Sequence, residues 1–269
     1  MYYAAIEEFN VKYLSSDPLS TMEKRYCMLL HRLNTTLLNT INQMVDQAGS
    51  MEIFMLSRSI FESTLHMGLL AANGLVQDAA KRYVDYTKVE TVKTLDHIKK
   101  LGLGDFFHID VDMATAEKLV TDCVNNYGED FEEHGWSGFS TKFQVIEVDK
   151  YYEAIAIPGI EKKFYAFMYC QLYKIASSVL HQSYAGVARL HSVNIDDTTM
   201  PHSEIRVEVR PELFDLGMTY SLLTYISSMR FFGAAIGEKR AEKYFQQLLT
   251  ELMTEDFIDP TPAPGSMGD

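Results

Sequence analysis

Three side chains in the stretch FMLSRSIFESTLHM could work as one acid–base and anion-holding group: Arg58, Glu62 and His66. They fall at i, i+4 and i+8, so on a 3.6-residue helix each step drifts by only about 40° and the three form one stripe. Met51, Met55 and Leu69 share that sector, which places the stripe at the border of the apolar face. An arginine beside a glutamate there is either a shielded ion pair stitching helices together or an anion holder oriented by its carboxylate. His66 is a neighbour whose ordinary pKa lies near neutrality.

A second column repeats the geometry in YKIASSVLHQ, with Tyr173, Ser177 and His181 again at i, i+4 and i+8. Two hydroxyls and an imidazole in line can hold a phosphate or share a proton, and His181 suits general acid–base work. A hydrogen-bonded core histidine near a helix end is the plainer alternative. KRYVDY adds Arg82 and Tyr86 at i and i+4, which could reach the same pocket or simply face solvent. Trp136, the only tryptophan, stands in GWSG; with Ser137 and Gly138 it either covers that pocket or plugs the core.

Other chemistries lack their residues. There is no GxxxxGK[ST] phosphate loop, no HExxH, no Cys-His zinc spacing and no GxSxG elbow. A di-iron bundle needs Glu-x-x-His at i, i+3 on two helices; Glu62 and His66 are four apart, with no second copy. No metal site and no cofactor are expected. The 14 methionines follow helical apolar rows and read as core filler.

Helices must position these residues. Only four prolines, at 18, 158, 201 and 211, precede the tail, and proline is costly inside helices. Ser16-Asp17-Pro18 reads as a helix start, with apolar residues then recurring at three- and four-residue steps to about 48. Further helices are expected at about 51–73, 76–101 and 113–126. Residues 128–142 read as an ordered loop, and helix returns after Pro158-Gly159 to about 182. Residues 192–210 are polar, with EIRVEVR alternating like one short strand. Pro211 opens a helix to about 236, and 238–254 makes the last. The expected fold is all-α: a single multi-helix bundle over 1–254 with a disordered acidic C-terminal tail, 255–269. The helix at 211–236 is apolar over so broad a surface that it is either a core helix or a dimer face.

The charge balance narrows the partners. The 269 residues carry 24 Lys+Arg against 37 Asp+Glu, net −13, and residues 251–269 hold five acids and no base. Such a chain is no general nucleic-acid coat, because phosphate affinity comes from clustered Lys and Arg; a local basic cleft is still compatible with it. Cys27, Cys123 and Cys170 are sparse and unpaired in spacing, which fits a reducing cytosol. MYYAAIEEFN has no secretory pattern, and the most apolar windows, 51–72 and 164–181, are broken by Arg58, Glu62 and Lys174. A cytoplasmic protein without a membrane span is expected.

In order along the chain, FMLSRSIFES, RYVDY, the WSG tripeptide and YKIASSVLHQS resemble a family of bacterial helical proteins of unknown function, over about residues 30–185. The most specific parts are Arg58 with Glu62 and the Tyr173/Ser177/His181 column. More distantly, the chain is similar to the HEPN superfamily of helical bundles, many of them metal-independent ribonucleases in toxin and antiphage systems. Their signature places an arginine four to six residues before a histidine on one helix, the histidine moving a proton and the arginine holding the scissile phosphate. Here the nearest base upstream of His181 on its helix is Lys174, with six residues between. The resemblance therefore implies Arg58 holding phosphate from another helix, Glu62 orienting it, and His181 as the acid–base. Tyr173, Ser177, His66, Arg82 and Trp136 would contact substrate. It implies an effector of a defence or toxin-like system acting on RNA. The alternative is a non-enzymatic module binding a partner protein or small ligand in the same polar pocket.

Overall fold

A computed structural model describes residues 21–44, 50–72, 74–103, 113–152, 163–180 and 211–254. Among these residues the chain is all-α, with no strand. The expected helix start at 16–18, the EIRVEVR segment, His181 and the tail 255–269 lie outside the described residues.

α1 (Met22–Met44) buries Cys27, Leu30, His31, Asn34, Leu38 and Ile41, one face at three- and four-residue spacing. α2 (Ser50–Ala71) is buried on several sides, through Ile53, Phe54, Ile60, Phe61, Leu65, Met67 and Leu69. It is the central rod, touching α1, α3 (Ala79–Lys100), α6 (Thr141–Tyr151), α7 (164–180) and α8 (Pro211–Ile236). α4 (Met113–Tyr127) and α5 (Glu129–His134) pack on α3, and α9 (Lys239–Thr254) lays Phe245, Leu248, Leu249 and Leu252 against α8.

α2 and α8 pack close because small residues line their seam. A Cβ on Gly68 would come within 2.9 Å of the Phe231 ring, so only glycine leaves that ring its place. Hydroxyls in the seam are satisfied locally: Ser57 donates to the Ile53 carbonyl at 2.6 Å and Ser221 to the Gly217 carbonyl at 2.8 Å. The Ser57 and Ser221 hydroxyls also meet, so one of them gives its single proton to the other in place of its own helix carbonyl, and Asn34 of α1 donates to Thr64 at 3.3 Å. Buried polar groups cost stability only when unpaired, so this seam keeps its polarity without that penalty. The apolar breadth of α8 is used inside its own chain: Tyr220, Leu223, Ile226, Phe231 and Phe232 are all buried.

Two expectations about elements need correction. The stretch 128–142 is not simply a loop: Glu129–His134 forms a short helix, bracketed by glycines and anchored by buried Phe131. Its acidic first turn (Glu129, Asp130, Glu132) suits the positive end of the helix dipole. Six residues are too few to show a period. Helix α6 then begins at Thr141, well before Pro158, burying Gln144, Val145 and Val148.

α7 is one rod in three parts: Phe164–Met168, a π-helical turn at Tyr169–Tyr173, and Lys174–Leu180. The backbone stays right-handed helical across both junctions. Asp149, near the end of α6, fixes its start by accepting from the backbone N–H groups of Tyr165 at 3.0 Å and Ala166 at 2.9 Å.

Candidate functional site

The polar edge of α2 meets α7 at Arg58. Its Nε and Nη2 both donate to Glu62 Oε1, at 3.1 and 3.0 Å, as the i, i+4 spacing requires. Nη2 also reaches the Tyr173 hydroxyl at 3.5 Å, and the guanidinium lies 4.6 Å from the centre of that ring. A cation over a tyrosine face is attracted by the ring's quadrupole, and more so when partly shielded from water. The Arg58 side chain is 16% exposed and that of Glu62 38%, so the pair sits at the rim. Nη1 of Arg58 is buried and has no hydrogen-bond partner among the described residues. A buried guanidinium N–H without a partner is an unmet donor, of the kind an anion oxygen would satisfy.

The π turn decides what Arg58 sees. In that wider turn Tyr169 and Tyr173 stack, ring centres 5.1 Å apart and planes 14° apart, and Phe61 of α2 tilts against Tyr173 at 6.3 Å. Single π turns inside α-helices occur frequently at functional sites. Ser177, one turn on, is half-buried. His181 is outside the described residues, so the column is seen through its first two members.

The other sequence-expected residues gather one to two turns further along α2. His66 meets Trp136 edge-to-face at 5.6 Å and Tyr83 at 6.1 Å, while Tyr83 and Trp136 meet at 5.2 Å. Loss of water around the imidazole pushes the His66 pKa down to about 4, so the ring is neutral at pH 7. Arg82 donates from Nε to the Trp136 carbonyl at 2.9 Å, with its guanidinium 5.2 Å from the Tyr127 ring and 5.6 Å from Phe131. Desolvation lowers the Arg82 pKa, opposed by Tyr127 and Asp78. Gly138, with φ +72°, passes so close that a Cβ there would sit 3.1 Å from Arg82 Nη2. Trp136 itself is buried. Among the described residues, no hydrogen bond or ring contact joins Arg82 or Trp136 to Arg58 or Tyr173. Tyr86, expected to follow Arg82 inward, packs edge-on against Phe131 at 5.4 Å.

So six of the sequence-expected residues divide into two groups, with Ser177 half-buried one turn on and His181 outside the described residues. Arg58, Glu62 and Tyr173 are brought together; His66, Arg82 and Trp136 form a second cluster that clamps the WSG turn onto α2. Sequence reasoning missed Tyr169, four residues before Tyr173 and therefore visible as a helical pair, and named Lys174 only as the base upstream of His181; its Nζ lies 5.2 Å from the Tyr169 ring centre. It also missed Asp149, sixteen residues ahead of the backbone it caps, which no local spacing signals. Burial pushes the Asp149 pKa up to about 6, against the opposing pull of two N–H donors, Lys163 and Arg230.

A separate cavity of about 380 Å³ between the starts of α1 and α3 is lined by Met22, Glu23, Lys81, Val84 and Asp85 among others. Its mainly acidic rim suits no anion. Among the described residues, no group of three or more His, Cys, Asp or Glu is placed to hold a metal ion. No helix among them is long and apolar enough to cross a membrane.

In comparison with known proteins, the model described as Family of unknown function (DUF5677) matches residues 24–199. No curated protein and no solved structure shows significant similarity to the chain.

Proposed function

The chain belongs to this family of unknown function, and from that premise we propose that it is a helical effector that acts on RNA as a metal-independent ribonuclease in a defence or toxin-like system. The observation that carries the reading is Arg58: a partly exposed guanidinium oriented by Glu62 and leaning on Tyr173, whose buried Nη1 has no hydrogen-bond partner among the described residues. Tyr173 is the first member of the Tyr173/Ser177/His181 spacing in the sequence, and the proposed acid–base, His181, follows the last described residue of α7 in the chain. Arg58 holds the scissile phosphate, His181 moves the proton, and Tyr173 and Ser177 offer hydroxyls to the substrate. The likeness to HEPN bundles belongs to this proposal. So does a cytoplasmic setting, which three free cysteines, one of them exposed, fit.

A second reading has its own observation. Two of the Arg58 donors are already spent on Glu62, and His66, the third member of that stripe, is held neutral by packing. A structural network of this kind would serve a module that binds a partner protein or small ligand without chemistry. Induced expression in cells separates the two. Under the ribonuclease reading wild-type protein arrests growth and degrades RNA, while Arg58→Ala and His181→Ala do neither and keep their melting temperatures. Under the other, the Arg58→Ala protein loses stability, by about 1–3 kcal/mol for a broken network, and wild-type expression leaves RNA intact.

A further inference from the structure

Side chains around the π turn form an ordered series: the Lys174 ammonium 5.2 Å from Tyr169, Tyr169 stacked 5.1 Å from Tyr173, and Tyr173 under the Arg58 guanidinium at 4.6 Å. Two cations thus bracket two parallel aromatic rings. The inner end is fixed, because Arg58 is tied to Glu62 and Phe61 leans on Tyr173. The outer end is not. Lys174 is exposed, makes no ion pair among the described residues, and covers Tyr169 with a flexible ammonium. Tyr169 is half-buried, flanked by exposed Cys170 and Gln171.

We infer that this series is a stacking platform for an unpaired stretch of RNA, one base displacing the Lys174 ammonium from the outer face of Tyr169. The inference rests on the ribonuclease reading and names its substrate class. Flat rings flanked by cations recognise nucleic acid whose bases are free: every base has a π face, whereas a duplex keeps its bases stacked on one another. Lys174, freed from the ring, neutralises the phosphate beside that base while Arg58 takes the next one inward. An acidic chain can bind this way because the attraction is local and part of it is stacking rather than charge. The π turn supplies the geometry, since it aligns the two tyrosines and delivers the second to Arg58.

The test uses full-length His181→Ala protein, so that cleavage does not intrude, and a fluorescein-labelled unstructured RNA of about ten nucleotides. Anisotropy is read at fixed ionic strength. Tyr169→Leu, which keeps bulk but removes the π face, should weaken binding about 5- to 150-fold, the usual effect of losing one aromatic stack. Tyr169→Phe should bind within about twofold of its parent, and Lys174→Ala should bind more weakly with a shallower salt dependence. The same sequence as a duplex should bind more weakly than the single strand. Tyr169→Leu binding like its parent, or a duplex binding as tightly as the single strand, overturns the platform. If wild type cleaves RNA in an Arg58- and His181-dependent way in either of those cases, the platform alone falls. If wild type neither binds nor cuts RNA, the ribonuclease reading falls and takes the platform with it.

Discussion

Lowering the pH from 7 to 4.5 should destabilise this fold through two histidines that the packing keeps uncharged. His31 of α1 is buried and stacks on Phe232 at 4.9 Å, with planes 6° apart, and on Tyr225 at 5.8 Å. His66 is wedged against Trp136 and Tyr83. Desolvation brings both imidazoles down to about 4 from the ordinary 6.5. A group whose folded pKa is depressed binds its proton more readily when unfolded. Stability is therefore intact above pH 6.5 and drains away as pH falls from there toward 4. Each depression of about 2.5 units is worth up to about 3.5 kcal/mol at about 1.4 kcal/mol per unit, most of it gone by pH 4.5. Urea unfolding followed by circular dichroism at stepped pH reads the sum, and His66→Phe should remove its own share of the slope. An NMR titration midpoint for either ring near 6.5, or a His66→Phe protein with an undiminished acid slope, would contradict the burial from which the figure comes.

Asp149 works in the opposite direction. Its pKa is raised to about 6 from 3.8, so its contribution is gained as pH falls through 6 and lost as pH rises through it. Wild type should gain about 2 kcal/mol on Asp149→Asn between pH 7.5 and 4.5, allowing for partial exposure, and parallel pH–stability curves would refute this. Gly138→Ala should cost about 1–3 kcal/mol in chemical denaturation, since it demands a positive φ of an alanine and crowds Arg82. Arg82→Ala, by freeing that space, should make the second substitution less costly in a double-mutant cycle. Gly68→Ala pushes a methyl into the Phe231 ring and should cost about 1–3 kcal/mol; a neutral result would mean that the α2–α8 seam gives way easily.

Much of the fold was legible in the sequence for a physical reason. Long amphipathic helices such as α1 repeat their apolar residues three or four times, and helix stops such as Gly102 and Gly237 adopt the left-handed backbone their type allows. Glu129–His134 escaped because one and a half turns cannot display a period. α6 escaped because its apolar residues are spread around the helix, Phe143 exposed while Val145 and Val148 are buried, and its far end runs into Tyr151-Tyr152 rather than a glycine or proline. At the site, Arg58 with Glu62 was readable because i, i+4 contacts lie within one helix. That Tyr173 would meet Arg58 depended on how α2 and α7 pack, which spacing along the chain does not encode. The same blindness grouped His66, Arg82 and Trp136 with Arg58, when tertiary packing holds them in a separate cluster. The π turn had no signature in residue type, and Asp149 acts across a gap in sequence that only the fold closes.

Incubation of purified protein with RNA in the presence of a metal chelator tests the ribonuclease reading most directly, wild type beside Arg58→Ala and His181→Ala. Wild type should cut the RNA, and each substitution should slow the cutting about 10²–10⁴-fold, the range for losing a positioned proton-transfer group or its electrostatic partner, without loss of fold. Cleavage that persists unchanged in both variants, or none by wild type, would contradict it.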